Sequence, residues 1–136
     1  MKYKFVKGPT SDVKFEAYGK DMNELFENAA LALSSVMCDV KKVRPRNSVK
    51  VFVDGKNAQD LLFNWLGEVI ALVDIENMFF SGFRVRIHGN SLTAECMGED
   101  ANPKNSLTVV KSATYHDFRL EGDDKNGYKA TVVLDI

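Results

Sequence analysis

Cysteine is scarce in this chain, with only Cys38 and Cys96 among 136 residues. Their spacing fits neither a zinc site, which needs closely spaced pairs of ligands, nor the dense disulfide framework of a small secreted domain. Each cysteine lies in an apolar segment, so we interpret both as buried free thiols. The fold is therefore expected to rest on its hydrophobic core, without disulfides or structural zinc.

An excess of charge of one sign is also lacking, since 18 lysine and arginine residues face 19 aspartate and glutamate residues. Domains that bind nucleic acid mainly through charge usually carry a clear basic excess. No apolar run approaches the roughly 18 residues that a membrane span needs, and the N-terminal segment alternates without the apolar core of a signal peptide. These features predict a soluble, cytoplasmic protein with no membrane partner.

The motifs of the common enzyme classes are missing as well. The chain has no phosphate-binding P-loop, no dinucleotide-binding glycine pattern, no serine nucleophile elbow and no paired metal-binding histidines. The acidic loop at residues 121–127 lacks the glutamate that closes a calcium-binding EF-hand loop, so a hairpin turn is the better interpretation. Nothing in the pattern of residues points to a catalytic centre.

Two segments have the periodicity of amphipathic helices. Residues 22–37 carry one apolar stripe, and Asp21 with Glu24 three residues later resembles a capping box. Residues 58–73 carry a second stripe, centred on Trp65. Strand-like segments surround the helices, at residues 2–6, 13–18, 48–53, 78–88, 92–97, 107–115, 118–121 and 128–136. This order predicts a single α+β domain (residues 1–136): a mainly antiparallel β-sheet with two amphipathic helices packed on one face.

The C-terminus is the most informative segment. Chain ends are usually frayed and polar, whereas residues 130–136 are apolar apart from Thr131 and Asp135. We expect this end to be pinned inside the sheet, which would fix the terminal carboxylate of Ile136 beside Asp135. Two adjacent negative groups repel each other unless a cation or a hydrogen-bond donor relieves them. On this evidence alone, an ordinary solvated chain end remains the alternative.

Several motifs, taken together, resemble the archease family in order and spacing over essentially the whole chain. They are Pro9-Thr10-Ser11-Asp12-Val13, Ala17-Tyr18-Gly19, residues 26–32, residues 36–39, residues 60–66, Gly98-Glu99, residues 110–116 and residues 133–136. The resemblance implies a protein cofactor, not an enzyme, that serves the GTP-dependent RNA-splicing ligase of RtcB type. Such a cofactor promotes guanylylation and multiple turnover of the ligase in tRNA splicing, and it contacts RNA only through the ligase.

The resemblance also implies a metal site. Its ligands would be Asp12 and Asp135, with weaker support for the terminal carboxylate of Ile136 and for Asp39. Such an all-oxygen set suits Ca²⁺, Mg²⁺ or Mn²⁺. One departure affects the first motif, where Pro9 stands in place of the family's usual histidine. The aspartate itself is retained.

Two further residues lie in family-like motifs. Glu99 and Lys111 are candidates for contact with the ligase, although an exposed strand lysine is the simpler interpretation of Lys111. Two other functions remain open. A small metal-dependent hydrolase could use the same carboxylates, and a chaperone-like module could act by surface binding without a functional metal.

Overall fold

The structure is a computed structural model that describes residues 1–8 and 12–136. The helices are α1 (Met22–Met37) and α2 (Ala58–Glu76), with short 3₁₀ turns at Val40–Lys42 and Pro103–Asn105. The strands are β1 (Tyr3–Val6), β2 (Val13–Gly19), β3 (Asn47–Asp54), β4 (Met78–His88), β5 (Ser91–Asp100), β6 (Ser112–Asp123) and β7 (Gly127–Asp135). No helix in the described residues is both long and apolar enough to cross a membrane.

Both helices begin where the sequence predicts. The Asp21 side chain accepts a hydrogen bond from the backbone N–H of Glu24 at 2.8 Å, which satisfies one of the unpaired donors of the first turn of α1. Asn57 caps α2 in the same way, through the N–H of Asp60 at 2.9 Å. The second helix runs three residues beyond the predicted end, because the chain leaves it only at Asn77, which adopts the left-handed conformation with φ 50°.

The α+β class and the antiparallel pairing are confirmed, and the strands divide into two sheets. One has the order β1-β2-β7-β6 and the other the order β3-β5-β4, with every neighbouring pair antiparallel. Each helix contacts both sheets: α1 packs on β2 and β4, and α2 packs on β6 and β3. Side chains from both sheets and both helices share one core, which includes Phe15, Trp65, Phe80 and Leu134.

Helix α1 also runs along the outer edge of β4. The backbone N–H groups of Val85 and Ile87 on this edge donate to the side chains of Glu27 (2.8 Å) and Asn23 (2.9 Å). Further along, the hydroxyl of Ser34 donates to the carbonyl of Phe80. An open strand edge invites pairing with other chains, and here helix side chains occupy it.

The predicted strands at residues 107–115 and 118–121 are wrong in their bounds. They are replaced by the single strand β6, which contains a bulge between Thr114 and Arg119. Residues 107–111 precede it as an irregular segment. The N–H groups of Leu107 and Thr108 bond to the carbonyls of Met37 and Val36, so this apolar segment satisfies the C-terminal carbonyls of α1 instead of joining a sheet.

Candidate metal centre

The two predicted aspartates lie at the same end of the paired strands β2 and β7. Val13 lies opposite Leu134 in this antiparallel pair, so the register, continued by one residue, puts Asp12 opposite Asp135. Residues that face each other in an antiparallel pair have Cα atoms about 4.5–5.5 Å apart. This register would bring two residues that are far apart in sequence to one end of the four-stranded sheet, where their carboxylates are candidate ligands.

The end of β7 is pinned, as the apolar C-terminus predicts. Strand β7 lies between β2 and β6, and Thr131 to Leu134 are buried. The last strand residue, Asp135, pairs with Ser112 of β6, and its carbonyl accepts the backbone N–H of Lys111 at 2.8 Å. Ile136 follows directly and is 36% exposed. The terminal carboxylate is thus carried by the same strand end as Asp135.

No cation of the protein neutralises these groups in the part of the chain that the structure describes. Asp12, Asp135 and the terminal carboxylate have no lysine, arginine or histidine nitrogen within 4 Å there. Lys14, two residues after Asp12, is 3.4 Å from Asp117 instead. Like charges at one strand end favour a bound cation, and oxygen donors suit a hard divalent ion such as Ca²⁺, Mg²⁺ or Mn²⁺.

The side chains alone do not complete a ligand set. Among residues 1–8 and 12–136, no three His, Cys, Asp or Glu side chains come together in a way that could hold a metal. A third anionic ligand would have to be the terminal carboxylate. Asp12 and Asp135 are half-buried, so an ion bound there would keep part of its coordination shell open to water or to a ligand from a partner.

Asp39, the weaker candidate, lies just after the end of α1. It follows the isolated bridge between Cys38 and Ser106, and its backbone N–H donates to the carbonyl of Asn105 at 2.9 Å. Its carboxylate is 3.9 Å from the ammonium group of Lys42, so a nearby cation already compensates it. Its role as a ligand remains a prediction.

The two candidates for partner contact have different surroundings. The Glu99 carboxylate accepts the backbone N–H of Arg44 at 2.7 Å and lies 3.5 Å from Nε of Arg46, so it holds the segment that precedes β3 against β5. Lys111 is exposed, and its backbone bonds to Asp135 as described above. Lys111 therefore lies next to Asp135 at the end of β7, whereas Glu99 has a structural role in its contacts with Arg44 and Arg46.

Asp117 is a neighbour of the site that the sequence did not reveal. It lies in the bulge of β6 with φ 53°, and its carboxylate reaches Lys14 at 3.4 Å. Lys14, the cation of β2 that is closest in sequence to Asp12, is therefore paired with Asp117. No sequence signal could have identified it, because the two residues are 103 positions apart and meet only through the sheet order.

Both cysteines are buried, as predicted, and neither has the surroundings of a nucleophile. Burial raises the pKa of the Cys96 thiol to about 12. Burial also raises the pKa of Cys38, against the smaller opposing effect of a hydrogen bond with Ser34. Both side chains are therefore neutral thiols at physiological pH. Pro9, at which the first motif departs from the family pattern, lies outside the described residues.

Comparison with known proteins gives a match along the whole fold. The model of the Archease protein family matches residues 3–136. "Protein archease" of Sulfurisphaera tokodaii is 41% identical over 131 residues, covering 93% of this chain and 94% of that protein. "Protein archease" of Methanosarcina barkeri is 37% identical over 134 residues, covering 93% and 91%.

Two solved structures share the fold. The solution structure of protein 1598 from Methanobacterium thermoautotrophicum has a TM-score of 0.84 at 33% identity and covers 98% of both chains. A crystal structure from Thermotoga maritima, described as an archease and possible chaperone, has a TM-score of 0.68 at 21% identity. It covers 96% of this chain and 98% of its own, and at that identity the likeness concerns the fold alone.

Proposed function

Because the chain belongs to the archease family, we propose that it is a protein activator of the GTP-dependent RNA-splicing ligase of RtcB type and not itself an enzyme. It promotes guanylylation of the ligase and its multiple turnover in tRNA splicing. Action on a partner protein, which this proposal requires, agrees with the description of the Thermotoga maritima protein as a possible chaperone.

The observation that supports the proposal is the pairing of Val13 with Leu134, since the same register continued by one residue would put Asp12 opposite Asp135. These side chains and the carboxylate of Ile136 would hold a divalent cation, Ca²⁺, Mg²⁺ or Mn²⁺. The cation would supply positive charge for the phosphates of a nucleotide. The protein's own contribution is to fix the carboxylates on paired strand ends and to leave that end of the sheet accessible to the ligase.

The first experiment measures stimulation of the ligase. Asp12→Ala and Asp135→Ala should each reduce stimulated guanylylation and multiple turnover about tenfold or more, because each removes one anionic ligand. Asp54→Ala is the matched control, since Asp54 is an exposed aspartate at the end of β3 in the other sheet. Circular dichroism checks that all three variants are folded. Full stimulation of the ligase by Asp12→Ala or by Asp135→Ala would contradict the proposal.

A second function, chaperone-like surface binding, has one observation in its favour. The side chains of Leu107, Val109 and Ile75 are 61%, 79% and 73% exposed, and Val109 lines one groove with the apolar residues Val73 and Phe79. Calorimetric titration of the isolated protein with Ca²⁺, Mg²⁺ and Mn²⁺ separates the two functions. A variant that lacks Ile136 should lose both metal binding and stimulation. Loss of metal binding with stimulation retained would favour the chaperone-like function.

A further inference from the structure

The outer face of the three-stranded sheet is open to solvent and carries an unusual set of side chains. The register of β3, β5 and β4 arranges them in two adjacent rows across the strands, namely Phe52, Thr93 and Arg86, then Lys50, Glu95 and Arg84. The same residues line a shallow depression on this face. With strands about 4.8 Å apart and rows about 7 Å apart, the ends of each row lie about 10 Å from each other.

The three cations of this face are not neutralised. Among the described residues, no carboxylate oxygen lies within 4 Å of the charged nitrogens of Lys50, Arg84 or Arg86. Glu95 stands between Lys50 and Arg84 in its row without forming an ion pair with either. With Glu95 and with Asp54, which follows Phe52 by two residues on the same face of β3, the face carries three cations and two carboxylates, a small positive excess.

The outer face of the four-stranded sheet is the natural comparison. There Lys4 and Lys129 pair with Glu16 at 3.5 and 3.6 Å, and Lys14 pairs with Asp117 at 3.4 Å. The two outer faces therefore differ in how their cations are paired. On the four-stranded sheet the three lysines are paired and only Arg119, in the row of Glu16 and Thr131, has no carboxylate within 4 Å among the described residues, whereas on the three-stranded sheet none of the three cations is paired.

An aromatic ring accompanies the cations. Phe52 is 64% exposed, and it occupies one end of the row that Arg86 closes at the other end. Lys50 lies beside it on the same face of β3, two residues away. An outward aromatic ring among cations on an open sheet is the arrangement by which many proteins hold single-stranded nucleic acid. Bases stack on the ring while the cations bind phosphates.

We propose that this face binds single-stranded RNA directly, in contrast to the contact through the ligase alone that the family resemblance implies. The bases stack on Phe52 and on the guanidinium planes of Arg84 and Arg86, and the phosphates pair with Lys50 and the arginines. An acidic protein surface would match the charge equally well, but it would leave the Phe52 ring without a stacking partner. The face lies on the sheet that does not carry Asp12 and Asp135, so the proposal does not depend on stimulation of the ligase.

The test is fluorescence anisotropy of a short, unstructured, fluorescein-labelled RNA of mixed sequence, titrated with the purified full chain. Three phosphate contacts predict a slope of about −2 for log affinity against log salt, or roughly a 20-fold loss between 50 and 200 mM salt. Phe52→Ala should weaken binding about tenfold without changing this slope. Phe52→Trp, which keeps an aromatic ring at this position, should bind the RNA as well as the unaltered chain does. Arg84→Ala combined with Arg86→Ala should reduce the slope to about −0.7.

The control variants remove the same groups elsewhere. Phe5→Ala removes an aromatic ring that is 49% exposed on the other sheet, and Lys104→Ala with Lys125→Ala removes two exposed cations. Both should bind RNA as the unaltered chain does. The proposal is overturned if the unaltered chain does not bind the RNA at low salt, or if the controls weaken binding as much as the variants of the face. Equal binding of polyglutamate, with the same dependence on Phe52, would assign the face to an acidic protein instead.

Discussion

Gly98 shows how a single residue of a family motif follows from packing. It lies on β5 opposite Phe80, where β4 bulges between Phe80 and Gly82. A Cβ atom at position 98 would stand 1.9 Å from the carbonyl oxygen of Phe79 and 2.8 Å from the Cα of Phe80. Both neighbours are backbone atoms, which cannot rotate away as the end of a side chain can. Only glycine allows the strands to approach this closely.

We expect Gly98→Ala to lower the free energy of unfolding by about 2–3 kcal/mol or more, because the backbone of β4 must move. Gly67→Ala is the matched control: Gly67 is exposed in α2, and a Cβ there meets nothing within 4 Å. That change should raise stability by about 0.5–1 kcal/mol through helix propensity. Urea denaturation measures both. An unchanged midpoint for Gly98→Ala would show that the bulge adapts without cost.

At the scale of the element, helix α1 replaces a strand at the edge of β4. Glu27 is the clearest case. Its carboxylate accepts the N–H of Val85, which favours the charged form, but the side chain is half-buried, which disfavours it. Burial raises the pKa of Glu27 above its usual 4.5, and the nearby Asp21 and Glu24 add to the shift, whereas the bond from Val85 and the charge of Arg84 oppose it. The fold therefore favours the neutral form of this side chain.

This gives a prediction for two variants of Glu27. Glu27→Gln keeps an acceptor for Val85 without the charge, whereas Glu27→Ala leaves the N–H unpaired and should cost about 1–3 kcal/mol. A raised folded pKa means that Glu27 stabilises the fold fully below pH 4.5 and less as the pH rises through its folded pKa. Glu27→Gln should therefore gain stability relative to the unaltered chain between about pH 4.5 and pH 7. Urea unfolding at both pH values tests this, and a constant difference would contradict it.

Comparison of the predicted and observed helices and strands shows which elements can be predicted from the sequence. Both helices, the Asp21 cap of α1 and most strands could be predicted from the sequence, because a buried stripe or an alternating face is a local pattern. The Asn57 cap of α2 was found only in the structure. The strand predicted at residues 107–111 was wrong. These residues have the apolar composition of a strand, but their backbone bonds to the carbonyls at the end of α1. Residues 116–117 resembled a break and form a bulge within β6. The division into two sheets depends on long-range pairing, which no local pattern encodes.

At the scale of the whole molecule, the candidate site was only partly accessible from sequence. The apolar C-terminus made a pinned strand end plausible, and the family resemblance supplied Asp12 as its counterpart. The proposed pairing of these two aspartates rests on the register of β2 against β7, and the contact of Lys14 with Asp117 depends on the strand order. The unpaired cations on the outer face of the other sheet cannot be recognised from the net charge of the whole chain. The cations became visible as a group only once the strands were placed side by side.

Binding of a cation at paired strand ends should stabilise the entire fold, because β2 and β7 are central strands of their sheet. Calcium at about 100 times its Kd would add about 2.7 kcal/mol, or on the order of 10 °C in Tm. Asp135→Asn should abolish this shift, yet in EDTA it should melt no lower than the unaltered chain, since it removes repulsion between carboxylates. Asp54→Asn, on the other sheet, should keep the full shift. Differential scanning calorimetry measures all three proteins, and a full calcium shift in Asp135→Asn would place the ion elsewhere.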